Sequence, residues 1–191
     1  MEIKTLKINY KNFYYPPGGI LMWIIIFLEL FTFGMALVAL AFSSRENPEL
    51  FHESSLHLNR TFGTINTIFL LASGFFVANA VHNYKENYFN KASFQFKIGM
   101  MGGLLFIALK SVEYYTKIEA GFLLDTNTFF TFYWLLTGFH VLHVMVGLVI
   151  LFIINRNITK TSIEDVEAAA TFWHMCDLIW LLLFPVLYLI F

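Results

Sequence analysis

The chain has 191 residues, of which 58% are apolar and only 13% charged, against roughly 45–50% and about 25% in ordinary soluble domains. That balance leaves little material for a water-soluble domain, and a net charge of −1 offers no basic surface for nucleic acid. One cysteine, Cys176, excludes an internal disulfide, and no Cys-x-x-Cys pair exists for zinc or an iron–sulfur cluster.

Residues 1–18 read as a polar arm carrying Lys4, Lys7 and Lys11, broken from the first apolar run by Pro16-Pro17-Gly18-Gly19. The remainder, 19–191, reads as one membrane domain. Its apolar runs, about 19–42, 61–82, 94–115, 128–154 and 168–191, are each long enough to cross a hydrocarbon core of about 30 Å, which takes roughly 20 helical residues. Period-2 alternation is absent, and lipid permits only helices or closed barrels. The expected fold is therefore all-α, a polytopic bundle of five transmembrane helices. Ala39-Leu40-Ala41 resembles a leader cleavage site. The run before it is about twice the usual 7–15-residue signal core, so the first span is read as retained.

With the N-terminus inside, the inner segments hold Lys4, Lys7, Lys11, Lys85, Lys91, Lys97, Arg156 and Lys160, and the outer ones Arg45, Arg60 and Lys117. The positive-inside rule then favours N-terminus inside and C-terminus outside. Tyr14-Tyr15, Tyr84, Tyr88 and Tyr114-Tyr115 fall at span ends, where an aromatic belt belongs.

Ionisable residues inside the spans are the candidate functional residues, because such groups are expensive in lipid and tend to face protein. In the first span Glu29 is expected to face a neighbouring helix and be kept protonated by desolvation, as a structural hydrogen-bond donor or as a proton relay. In the third, Lys110 and Glu113 are three apart and share a face, so they are expected to pair. Gly99 and Gly103 on that span have the spacing of a close helix contact. In the fourth, His140 and His143 are three apart. In the fifth, Glu167, His174 and Asp177 fall within about 80° of one another at 100° per residue, backed by Trp180. Two readings of the last two spans stand side by side. One is a metal site, for which imidazole and carboxylate are ordinary ligands. The other is a hydrogen-bonded clasp in which Glu167, His174, Asp177 and a histidine of the fourth span form one cluster.

The segments LKSVEYY, TGFHVLHVMVG and VEAAATFWHMCDLIWLLLF together resemble subunit III of the haem–copper respiratory oxidases, in its five-helix bacterial form. The matching residues are Glu113-Tyr114; Gly138, Phe139, His140, His143 and Gly147; then Glu167, Trp173, His174, Asp177 and Trp180. Glu29 in ELFTFG and the second-span set Asn66-Thr67, Leu70-Leu71 and Ser73 extend the likeness. Departures are Lys110 where a glutamine is usual, Phe172 where a tyrosine is usual, and no histidine in Ser162-Ile163-Glu164-Asp165. The resemblance implies a non-catalytic subunit with structural histidines and no haem, copper or other metal of its own. Haem and copper then belong to partner subunits, in a complex reducing O2 to water with proton translocation and accepting electrons from cytochrome c or quinol. It further implies packing against the catalytic subunit I alongside subunit II, and protection of the complex against turnover-linked inactivation. Support of proton uptake, bound phospholipid and a route for oxygen are implied as well. The implied place is the bacterial cytoplasmic (inner) membrane, with a respiratory supercomplex as a larger assembly. A homologous accessory subunit of a nitric oxide reductase, and an independent membrane metalloenzyme using the histidines, are the alternatives.

Overall fold

The structure, a computed structural model, describes residues 16–191. Lys4, Lys7, Lys11 and Tyr14-Tyr15, on which the orientation and the aromatic belt partly rest, lie outside the described residues. Within them the chain forms α1 (Gly19–Glu46), α2 (Pro48–Leu56), α3 (Arg60–Lys85), α4 (Phe89–Glu119), α5 (Thr128–Arg156) and α6 (Ile163–Pro185), closed by a π-helical turn at Val186–Ile190. Five helices are long and apolar enough to cross a membrane. No strand occurs among the described residues.

Each long helix extends past its apolar run at one end at least, since polar ends continue past the hydrocarbon. α4 has 31 residues, about 46 Å at 1.5 Å per residue. The ends are set by side chains. Asn59 accepts from the backbone N–H of Thr61 and Phe62 at 3.0 and 3.2 Å, and Asn127 from that of Phe130 at 2.9 Å. Ser162 accepts from the N–H of Asp165 at 3.1 Å, which starts α6 five residues before the expected 168; Glu164 and Asp165 then sit in its first turn, on the favourable side of the helix dipole. At the other end Pro185 has no N–H to donate, and the following turn takes π geometry. The short helix α2 is absent from the sequence expectation. It begins on Pro48, a residue suited to a first helical turn, and has too few apolar residues to be read as a span.

α6 is the centre of the bundle. It packs against α1, α3 and α5, while α4 packs against α3 and α5. Its Trp173, Ile179, Trp180 and Leu183 are fully buried. The tightest pair is α3 with α4. A Cβ on Gly99 would come within 2.7 Å of Val77, and one on Gly103 within 2.5 Å of the Trp173 ring. These two glycines thus make the expected close contact, Gly99 with α3 and Gly103 with α6. Outward faces carry Ile24, Phe27, Phe31, Leu105 and Phe152, all exposed, as a hydrocarbon environment requires. Of the expected belt tyrosines, Tyr88 and Tyr115 are exposed. Tyr84 instead turns inward and donates to the Thr161 carbonyl at 2.5 Å, and Tyr114 donates to Thr137 at 2.9 Å. Lys117, expected in an outer loop, is in the last turn of α4 and donates to the His57 carbonyl.

Candidate functional site

The chemically densest region lies where α4, α5 and the C-terminal π turn meet. Lys110 and Glu113 are each 1% exposed and pair at 3.1 Å, as their three-residue spacing on one helix predicts. Two tyrosines complete a closed hydrogen-bonded ring. Lys110 Nζ also donates to Tyr188 Oη at 2.7 Å and Tyr133 Oη at 3.3 Å. Both hydroxyls then donate to Glu113 Oε1, at 2.6 Å from Tyr188 and 3.0 Å from Tyr133. The ammonium lies 4.8–5.4 Å from the ring centres of Tyr114, Tyr133, Trp180 and Tyr188, within cation–π range. A buried charge is tolerable only when its partner and its remaining donors are satisfied. Here Lys110 has three acceptors for its three N–H bonds.

The histidines of α5 point to different partners. His140 is fully buried, stacked on Trp180 at 5.4 Å and edge-on to Phe106 at 5.5 Å. Among the described residues neither of its ring nitrogens has a hydrogen-bond partner. His143 Nε2 lies 3.3 Å from Glu29 Oε2, joining α5 to α1. Glu29 therefore faces protein, as expected, with 20% of its side chain exposed. The Phe139 carbonyl, which can only accept, is 2.8 Å from His143 Nδ1. That nitrogen must then carry hydrogen.

The clasp expected between the last two spans does not form. Glu167 pairs with Lys85 at 2.6 Å, while His174 lies 3.5 Å from Asp177. The stripe is real, but from Glu167 to Asp177 it runs about 15 Å along the helix axis. Residues aligned on one face are thus too far apart to form one cluster. His140 is stacked on Trp180 with neither ring nitrogen hydrogen-bonded among the described residues, and His143 faces Glu29, so neither joins it. What ties α6 to its neighbour is a pair of indoles. Trp173 Nε1 donates to Ser73 Oγ at 3.0 Å and Trp180 Nε1 to Thr67 Oγ1 at 3.0 Å; Ser73 in turn donates to the Gly99 carbonyl at 2.6 Å. Both hydroxyls are on α3, so the fastening is α6 to α3 rather than α5 to α6. Among the described residues no group of three or more His, Cys, Asp or Glu side chains is placed to hold a metal.

Sequence reasoning misses Tyr133 and Tyr188, the phenols that complete the Lys110 ring. They are 23 and 78 residues from the lysine, and the aromatic-belt argument draws attention to tyrosines at span ends only. The available signal is the buried lysine itself, which needs more than one acceptor.

A profile of cytochrome c oxidase subunit III matches residues 19–190, which takes in all six helices. The chain belongs to the cytochrome c oxidase subunit III family. Individual relatives agree. Cytochrome c oxidase subunit 3 of Drosophila melanogaster is 33% identical over 129 residues, covering 65% of this chain and 48% of that protein. Those of Cyprinus carpio and Anopheles gambiae are each 35% identical over 129 residues, with the same coverage. The chain spans about half the length of the curated relatives it matches. Within the subunit III family frame, the residues that carry the resemblance are the ones that make the internal contacts: Thr67 and Ser73 accept the two indoles, Glu113 anchors the phenol ring, and Gly147 lies beneath the Trp173 ring.

Proposed function

We propose that this chain is the accessory subunit III of a haem–copper terminal oxidase in a bacterial cytoplasmic membrane, with its N-terminus inside, and that it carries no redox centre itself. The observation that supports this most directly is how its motif residues are used. Most of the indoles and carboxylates that mark the family make contacts between helices, Trp173 and Trp180 to α3, Glu113 to α5 and the π turn, Glu167 to Lys85 and Glu29 to His143, while His174 and Asp177 pair within α6; among the described residues no three histidines or carboxylates meet at one point. Such a set fits a scaffold and does not fit a haem or copper ligand shell. In this reading haem and copper sit in the partner subunits, where O2 is reduced to water with proton translocation, and subunits I and II are the neighbours in the complex.

Two features of the bundle support finer roles. The Glu29–His143 pair brings two titratable side chains of different helices within 3.3 Å, which suits it to proton uptake. An apolar cleft of about 270 Å³, lined by Thr32, Phe33 and Ala36 of α1 and by Phe132, Leu135, Leu136 and Phe139 of α5, suits a phospholipid acyl chain and the passage of a small apolar gas. Purification of the tagged chain from its own membranes in mild detergent tests the reading. The expected result is co-purification with a haem- and copper-containing polypeptide, O2 consumption by the complex, and no stoichiometric metal on the isolated chain. A nitric oxide-reducing complex, or metal bound to the chain alone, would replace it.

A further inference from the structure

We infer that a column of titratable side chains connects the Glu29–His143 pair to the end of the bundle that carries α2, so that the pair exchanges protons with the water on that side only. This goes beyond the proposed function and uses residues of this chain alone. Depth can be counted at 1.5 Å per residue from the α2 ends of α4, α5 and α1. Lys117 then lies about 3 Å deep, Glu113 about 9 Å, Lys110 about 14 Å, His140 about 18 Å, His143 about 22 Å and Glu29 about 26 Å. The steps are regular. Lys117 and Glu113 share a face of α4, and their charges interact. Glu113 and Lys110 touch at 3.1 Å. Lys110 Nζ and the His140 ring both lie against the Trp180 indole, at 5.3 and 5.4 Å, and the lysine charge reaches the imidazole. His140 and His143 are three apart on α5, a spacing that holds Cβ atoms about 5–6 Å apart. His143 Nε2 then meets Glu29 at 3.3 Å.

His140 is the station that packing alone does not explain. It is fully buried, with neither ring nitrogen hydrogen-bonded among the described residues, a desolvation that an apolar ring of similar size would avoid. Two unengaged nitrogens are what a relay needs, since one takes up a proton as the other releases one. A flip about χ2 turns them between the Lys110 side and the His143 side while the ring plane stays on the indole. In the transfer Lys110 gives an N–H proton to His140 and regains one from Glu113, itself protonated from the Lys117 end. His140 passes its second proton toward His143 and Glu29, and each intermediate group keeps the charge it began with. In the other direction the column stops. Beyond Glu29, α1 presents Ile20 to Leu28 and α5 Val144 to Ile154, without one titratable side chain. On α6 the buried Cys176 thiol is within reach of the Glu29 charge, while His174 and Asp177 pair with each other against Gly74 of α3. The bridge covers one half of the membrane.

Carbodiimide labelling in sealed vesicles of the native membrane, holding the assembled complex at rest, tests this. A lipid-soluble carbodiimide reaches a mid-membrane carboxyl from the hydrocarbon and reacts with its protonated form. Adduct yield at Glu29, read by mass spectrometry, therefore reports which solution sets its protonation. Raising the solution on the α2 side from about pH 6 to about pH 9 is expected to lower the yield about fivefold or more, and the same change on the other side by less than about twofold. His140→Phe keeps an aromatic ring on Trp180 and is expected to abolish the α2-side response. Lys110→Gln breaks the column at a second point and is expected to do the same, which guards against one replacement spoiling the fold. Yield that follows the other solution, or neither, would overturn the column, as would a full response in either variant. A membrane-impermeant thiol reagent on Glu53→Cys, an exposed position of α2, reports on which side that end lies. If that side is the inner one, the proposed orientation falls while the column stands. A purified complex with no oxidase polypeptide would overturn the proposed function and leave the column untouched.

Discussion

At the scale of single residues, the Lys110 ring is unequal in a way that sets the outcome of substitution. Glu113 holds two phenol donors besides Lys110, whereas Lys110 without Glu113 keeps only phenol oxygens and aromatic faces. Removing one partner of a buried pair strands the other, at about 3–5 kcal/mol. Glu113→Ala is therefore expected to destabilise by that amount, measured as unfolding free energy in detergent micelles. Lys110→Gln leaves a neutral amide beside a carboxylate that still has both phenols, so about 1 kcal/mol is expected. Equal losses from the two changes would show that the phenols do not carry the carboxylate. The Lys110–Glu113 pair is legible from spacing alone because both partners are on one helix, where a three-residue separation dictates contact. Tyr133 and Tyr188 are not legible. Their approach depends on how α5 and the π turn pack, and periodicity within one helix does not report that.

At the scale of elements, the five long helices are legible because hydrophobic length is a direct physical demand of the bilayer. α2 is not, since nine residues resting partly on α5 and α1 leave no mark in hydropathy. The inter-helix fastening escapes the sequence for a related reason. An 80° stripe on α6 says which residues share a side, yet not how far apart along the axis they lie or which neighbour they meet. The α6–α3 fastening through Ser73 yields a modest prediction. Hydrogen bonds between membrane helices average about 0.6 and reach about 1.7 kcal/mol. Because Ser73 serves both Trp173 and Gly99, Ser73→Ala is expected near the upper value in an unfolding titration. The glycines yield a prediction of opposite signs. Gly103→Ala forces a methyl against Trp173, an overpacking of about 1–3 kcal/mol, whereas a methyl on Gly138 meets no atom within 4 Å. Gly138→Ala is expected to be neutral or to raise the melting temperature of the isolated chain, since an interior helical glycine costs roughly 0.5–1 kcal/mol relative to alanine. A lower melting temperature for Gly138→Ala than for Gly103→Ala would contradict this packing.

At the scale of the whole molecule, α6 is the most buried of the five spans and α1 the least. α1 shows most of its apolar side chains outward and meets the rest through Phe33, Glu29 and the turn at Gly18. Phe33 contacts the rings of Phe139 and His143 at 5.5 and 5.9 Å, and Glu29 provides the polar contact at 3.3 Å. That Glu29 faces protein is legible, because a carboxyl at mid-membrane has nowhere else to go. Its partner is not, as nothing in the separate spans links residue 29 to residue 143. The geometry separates two substitutions that look alike in size. Glu29→Gln keeps an N–H donor for His143 Nε2 and conserves the attachment. Glu29→Leu leaves that nitrogen facing an alkyl chain, with only dispersion holding α1 to α5. Hydrogen exchange of the α1 backbone in detergent is the measurement. Glu29→Leu is expected to speed exchange along the Glu29–Phe33 turn by about tenfold, equivalent to roughly 1.4 kcal/mol of lost protection, within the range for one membrane hydrogen bond. Glu29→Gln is expected to exchange as the unaltered chain does. Acceleration of the same size in both would mean that the carboxyl group itself, rather than any polar contact at that position, holds α1 in place.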